Sequence, residues 1–150
     1  MELWTPERIK QSFIPDDLLR YTPPPKGLAV EDRDFIAWPE HGTGRYFSVI
    51  PTSEELVGLI FQMNPGQGTL TGRCSLCMAT NYEVGTKAAL IETLTNPRRK
   101  VGYHVCADLE CSARCRGLVP GIFMYETIGT GRRIERLQFN LQRLTRAVRG

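Results

Sequence analysis

No stretch of this sequence is apolar for long. The longest such run, Leu56 to Phe61, is interrupted by Gly58, far short of the about 20 residues that a membrane-spanning helix needs. The chain does not open on a basic segment followed by an apolar one. It begins MELWTPERIK, so no secretory leader is expected and the sequence reads as cytoplasmic, with no membrane contact. Internal repeats and low-complexity segments are missing, and so are a P-loop, a Ser-His-Asp set and a recognisable acidic nucleophile. The formal net charge of +3 is too small to announce a nucleic-acid binder by itself. The five cysteines are odd in number, and a reducing compartment disfavours a disulfide framework in any case. What is present is ordinary for a globular protein: 150 residues, 41% hydrophobic and 23% charged, the size of one domain.

Along the chain, Thr5-Pro6-Glu7-Arg8 has the chemistry of a helix start, with a hydroxyl N-cap, proline in the first turn and an acid beside it. Ile9 and Phe13 fall four apart on one face, and Pro15 ends the helix. Asp16 to Arg20 suits a further turn, and Pro23-Pro24-Pro25-Lys26-Gly27 a stiff connector. Residues 34 to 62 read as strands. Asp34 to Trp38 is closed by Pro39, His41 to Gly44 is turn material, and Tyr46–Ile50 and Leu56–Met63 form a hairpin. Asn64 to Gly68 reads as a loop, Lys87 to Leu94 and Val101 to Val105 as strands around a turn at Asn96 to Lys100, and Leu118 to Ile128 as two short apolar runs around Pro120-Gly121. Ile134, Leu137, Leu141, Leu144 and Val148 recur at steps of three and four, which predicts an amphipathic helix packed on the sheet rather than a coiled coil.

The informative chemistry is in the cysteines. Cys74 and Cys77 are two residues apart, a spacing that makes a metal-binding knuckle but is shared with thioredoxin-like redox motifs. A second cluster, Cys106 and Cys111, follows, and the two together point to a tetrahedral thiolate site. A knuckle, a hairpin and then a second pair at a helix start suit a treble clef. Cys106 is expected to open a helix through Ala107, Asp108, Leu109 and Glu110, with its acids in the first turn. Spacing alone leaves the ligand set open. Cys111 and Cys115 are four apart and would share a helix face, whereas His104 and Cys106 are two apart and would share a strand face. His41, beside Gly42, is expected to be an exposed loop residue.

Arg73-Cys74-Ser75-Leu76-Cys77, Val101 to Leu109 and Cys111-Ser112 resemble the C-terminal treble-clef zinc finger of the elongation-factor-G-binding proteins, the family of the fusidic-acid-resistance proteins. Asp34-Phe35-Ile36-Ala37-Trp38 and the arginine-rich last helix are also similar to its short members. The resemblance implies one structural zinc ion per chain on Cys74, Cys77, Cys106 and Cys111, with Cys115 outside the shell. It further implies a non-enzymatic accessory protein of translation that binds elongation factor G or the ribosome and takes no small-molecule substrate. The resistance proteins carry a helical domain ahead of the finger for which these 150 residues have no room.

The expected fold class is therefore α+β: a small antiparallel sheet with a treble-clef zinc finger and a C-terminal amphipathic helix. Residues 1–150 are read as one domain, with a helix plus β-hairpin over 1–70, the finger over 71–117 and the last helix over 130–149. Six arginines (132, 133, 136, 143, 146 and 149) oppose only Glu135 in that last segment, leaving the rest of the chain net negative. Arg98, Arg99 and Lys100 at the hairpin tip and Arg132, Arg133, Arg136 and Arg143 are the candidate partner-binding residues. The alternative function is a zinc-dependent RNA- or DNA-binding module, in which these cations contact phosphate.

Overall fold

The computed structural model describes residues 3–64, 68–123 and 126–149. Helix α1 spans Pro6–Gln11, and the Thr5 hydroxyl accepts from the Arg8 amide at 3.2 Å as its N-cap. A single further turn, α2, spans Pro15–Leu18. Five strands follow: β1 Ile36–Pro39, β2 Arg45–Pro51, β3 Leu56–Met63, β4 Thr86–Glu92 and β5 Lys100–Cys106. They form one antiparallel sheet in chain order. The hairpin expected from Tyr46–Ile50 and Leu56–Met63 is β2–β3, part of a longer meander in which the strand expected at Asp34 to Trp38 is the edge strand β1. The segment expected to form a loop after β3 lies partly outside the described residues, at 65–67, and so does part of the apolar stretch at 124–125. In that stretch, Ile122 makes an isolated bridge to Thr80.

The sheet has a narrow waist. β2 pairs with β3, and β4 with β5, along their lengths, but β3 meets β4 only through Gln62↔Leu90 and Met63↔Ala89 among the described residues. The cysteine knuckle enters the chain between those two strands.

Because side chains alternate across a strand, β3 feeds two cores. Val57, Leu59, Phe61 and Met63 face one that also holds Ile91, Val105, the cysteines and the last helix. Leu56 and Ile60 face the other, built from Ile9, Phe13, Trp38, Phe47 and Val49. In the second core Trp38 stacks on Phe47 with centroids 5.8 Å apart, and Phe13 and Tyr21 meet both rings edge-on or tilted. The Trp38 Nε1–H donates to the Thr22 carbonyl at 2.8 Å, which fastens the proline connector to the sheet. Gly58 lets α1 approach: its amide donates to the Ser12 carbonyl at 3.0 Å, and a Cβ there would lie 2.6 Å from Phe13 Cγ.

Helix α4, Thr130–Arg149, buries Leu137, Leu141, Leu144 and Val148 in the first core, as its periodicity predicts. One element is displaced from its expected place. Residues 107–110 form a turn, and the short helix α3 spans Cys111–Cys115. The reason is local. Leu109 adopts φ +53, a left-handed conformation that a helix cannot accommodate, and the Asp108 carboxylate accepts from the Glu110 amide at 3.0 Å. Asp108 and Glu110 are therefore not first-turn acids of a helix opened by Cys106.

Candidate metal centre

The knuckle is shaped by its own backbone. The Met78 amide donates to the Cys74 carbonyl at 3.0 Å, Met78 adopts φ +67, and the Cys74 amide donates to the Ala79 carbonyl at 2.9 Å. This turn aims the Leu76 and Cys77 amides at Cys74 Sγ, at 3.3 and 3.4 Å. Amides directed at a sulfur favour its thiolate form. The Ser75 amide donates to the His104 carbonyl at 2.7 Å, which pins the knuckle to β5. That strand ends in Cys106, opposite Thr86 of β4. The Ala107 amide bonds the Gly85 carbonyl at 3.0 Å and the Leu109 amide the Cys106 carbonyl at 2.9 Å. The turn then delivers Cys111 as the first residue of α3.

The four sulfurs of Cys74, Cys77, Cys106 and Cys111 lie within 4.8 Å of one another, and all four residues are buried. Cys74 and Cys111 are separated by 3.7 Å and Cys77 and Cys106 by 3.6 Å. No cysteine is in a disulfide. A tetrahedral ion bonded to sulfur at about 2.3 Å requires sulfurs about 3.8 Å apart, which these two separations match, and the others lie within 4.8 Å. The donors are all soft thiols, the set that selects zinc or iron–sulfur chemistry over hard cations. Hydrogen bonds from the thiols of Cys106, then Cys111 and Cys77, hold the Cys74 thiol well below its ordinary value. The same sharing, led by Cys106, pushes Cys111 well above it. A dication in the centre of the cluster would stabilise all four as thiolates.

Cys115 stands apart. It lies outside the group, its Sγ donates to the Arg133 carbonyl at 3.6 Å, and burial, then the charge of Asp34, raise its pKa to about 11. His104 is exposed on β5, and His41 is exposed in its loop.

Two polar networks hold the cage's surroundings, and neither was apparent in the sequence. Arg114 of α3, whose side chain is 3% exposed, grips Asp108 with both guanidinium nitrogens at 2.7 and 2.9 Å and donates from Nε to the Pro120 carbonyl at 3.0 Å. Burial alone would raise the Asp108 carboxyl, but Arg114 outweighs it and holds that group below its usual value. On the other side, the Asp34 carboxylate, 2% exposed, accepts from Arg116 at 2.8 Å and from Gln138 of α4 at 2.9 Å, while the Asp34 amide donates to the Ser112 hydroxyl at 3.0 Å. Helix α4 closes over the knuckle. Asn140 Nδ2 donates to the Leu76 carbonyl at 2.8 Å, and Arg136 to the Cys77 carbonyl at 3.3 Å.

The basic candidates divide. Arg133 and Arg136 both pair with Glu126, and the Arg133 guanidinium lies over the Phe123 ring at 4.1 Å. Burial would raise the Glu126 carboxyl, but Arg136 and then Arg133 hold it below its ordinary value. Arg98, Arg99, Lys100, Arg132 and Arg143 are exposed.

Against known proteins, the family model for the FBP C-terminal treble-clef zinc-finger matches residues 16–148. No curated protein matches by sequence. Among solved structures, the fusidic acid resistance protein FusC shares the fold, with a TM-score of 0.59 at 17% identity over 75% of this chain and 52% of that one. The chain spans about half the length of FusC. The family match and the four buried thiols at ligand separation support one structural zinc ion. No helix among the described residues is long and apolar enough to cross a membrane.

Proposed function

Because the chain belongs to the FBP C-terminal treble-clef zinc-finger family, we propose that it is a zinc-organised binding protein that engages elongation factor G, free or on the ribosome, in the cytoplasm. Cys74, Cys77, Cys106 and Cys111 are the zinc ligands in this reading, and the finger is a recognition element rather than a catalytic one. The observation that carries it is the burial of all four thiols in one cage within the span of the family match. Four thiolates complete a zinc ion's tetrahedral shell and leave no position for water or substrate, which catalytic zinc requires. The metal's binding energy becomes folding energy for a segment with little core of its own. The fold shared with the fusidic acid resistance protein FusC agrees with the family placement on which this reading rests.

The test is capture of purified elongation factor G, and separately of ribosomes, by the immobilised zinc-loaded protein. Retention of the factor that disappears after the zinc is chelated is the expected result. Failure to retain either the factor or ribosomes would end this reading while leaving the zinc site untouched.

A further inference from the structure

Helix α4 has two stripes. Leu137, Leu141, Leu144 and Val148 are buried. At 100° per residue, Arg132, Glu135, Phe139, Arg143 and Arg146 lie on the opposite side, and all five are exposed. Phe139 is 58% exposed and stands between the arginines. Arg132, Arg143 and Arg146 have no ion-pair partner among the described residues, in contrast to Arg133, Arg136 and Arg149, which pair with Glu126 or Glu55. From Arg132 to Arg146 the stripe runs about 21 Å at 1.5 Å per residue. At its far end the helix abuts the loop after β4, where the Leu94 amide donates to the Val148 carbonyl at 2.6 Å. That loop carries the exposed Arg98 and Arg99, and the exposed Lys100 opens β5 directly after it, so further cations lie at the same end of the molecule.

We propose that the outward stripe of α4, continued by the β4–β5 tip, is a docking track for single-stranded RNA. A solvated helix face needs charges but no aromatic ring, and an exposed Phe adds apolar area that water disfavours. A single RNA strand supplies a phosphate for each cation along a narrow line and a planar base for the ring, the combination that sequence-tolerant single-strand binders use. A folded acidic protein supplies carboxylates but no planar face at regular intervals. The stripe sits on a rigid support, because Gln138, Asn140 and Gln142 on the flanks of the helix bond Asp34, Leu76 and Pro51. This inference is independent of elongation factor binding.

The test is fluorescence anisotropy of the zinc-loaded protein with a labelled mixed-sequence RNA of about 20 nucleotides, titrated over a range of salt. The expected result is binding that weakens steeply with salt. In Arg132→Ala/Arg143→Ala/Arg146→Ala affinity falls at least tenfold, and the salt slope falls by about two, near 0.7 for each phosphate contact removed. Phe139→Ala weakens binding about fivefold or more with the salt slope unchanged, because stacking releases no counterions. These side chains are exposed, so zinc content and thermal stability should match the parent protein, and both are measured alongside. Undetectable RNA binding at low salt, or a triple variant that binds like the parent, would overturn the proposal. So would equal affinity for a polyglutamate peptide, which would assign the stripe to an acidic protein instead.

Discussion

At the scale of single residues, the cysteine spacing was legible and the side chains that hold the cage in place were not. The Cys74–Cys77 knuckle and the second cysteine cluster announce a metal site because zinc chemistry demands paired thiolates, while the choice of Cys106 and Cys111 over His104 and Cys115 comes from the family resemblance. Asp108 announces nothing, because its partner Arg114 is set by a tertiary turn rather than by a helical repeat. Yet that pair is the more exposed to damage. Arg114 is buried with its charge compensated by one carboxylate, and a buried charge that loses its partner is costly. Asp108→Ala should therefore destabilise the zinc-loaded protein by on the order of 2–4 kcal/mol, read by urea denaturation. A loss below about 0.5 kcal/mol, the size of an ordinary surface change, would show that the Arg114 charge finds relief elsewhere. Asp34 is a similar case: its contacts with Ser112, Arg116 and Gln138 join distant parts of the chain and leave no periodic mark.

At the scale of elements, strand runs and the α4 stripe were visible because burial imposes periods of two and 3.6. The start of α3 was not, since a left-handed Leu109 is invisible to propensity. The narrow β3–β4 junction was also hidden, because pairing extent depends on where the knuckle inserts. Gly58 reads in the sequence only as an interruption of an apolar run, whereas in the fold it is the seat of α1. Adding a methyl group there places it 2.6 Å from Phe13 Cγ and 2.8 Å from Ser12 Oγ, distances that force a shift. Gly58→Ala should cost about 1–3 kcal/mol by overpacking and loosen α1, seen as a lower melting temperature together with faster proteolysis near residues 6–13. Unchanged melting and unchanged cleavage would mean that the Phe13 ring moves aside freely.

At the scale of the whole molecule, the α+β architecture followed from the order of patterns along the chain, and the family resemblance from the cysteine segments. The distribution of function over the surface did not. The sequence presents six arginines near the C-terminus as one group, but the fold divides them: Arg133, Arg136 and Arg149 stabilise the protein's own carboxylates, and Arg132, Arg143 and Arg146 face outward. The first core unites the sheet, the cysteine cage and α4, so the metal and the packing of the molecule are thermodynamically linked. Native mass spectrometry of the parent protein and of each cysteine-to-serine variant, paired with circular dichroism before and after chelation, tests that link. One zinc per chain is expected in the parent and in Cys115→Ser, with zinc lost in the variants of Cys74, Cys77, Cys106 and Cys111 and cooperative folding lost on chelation. A parent protein that stays fully folded with no metal bound would contradict it.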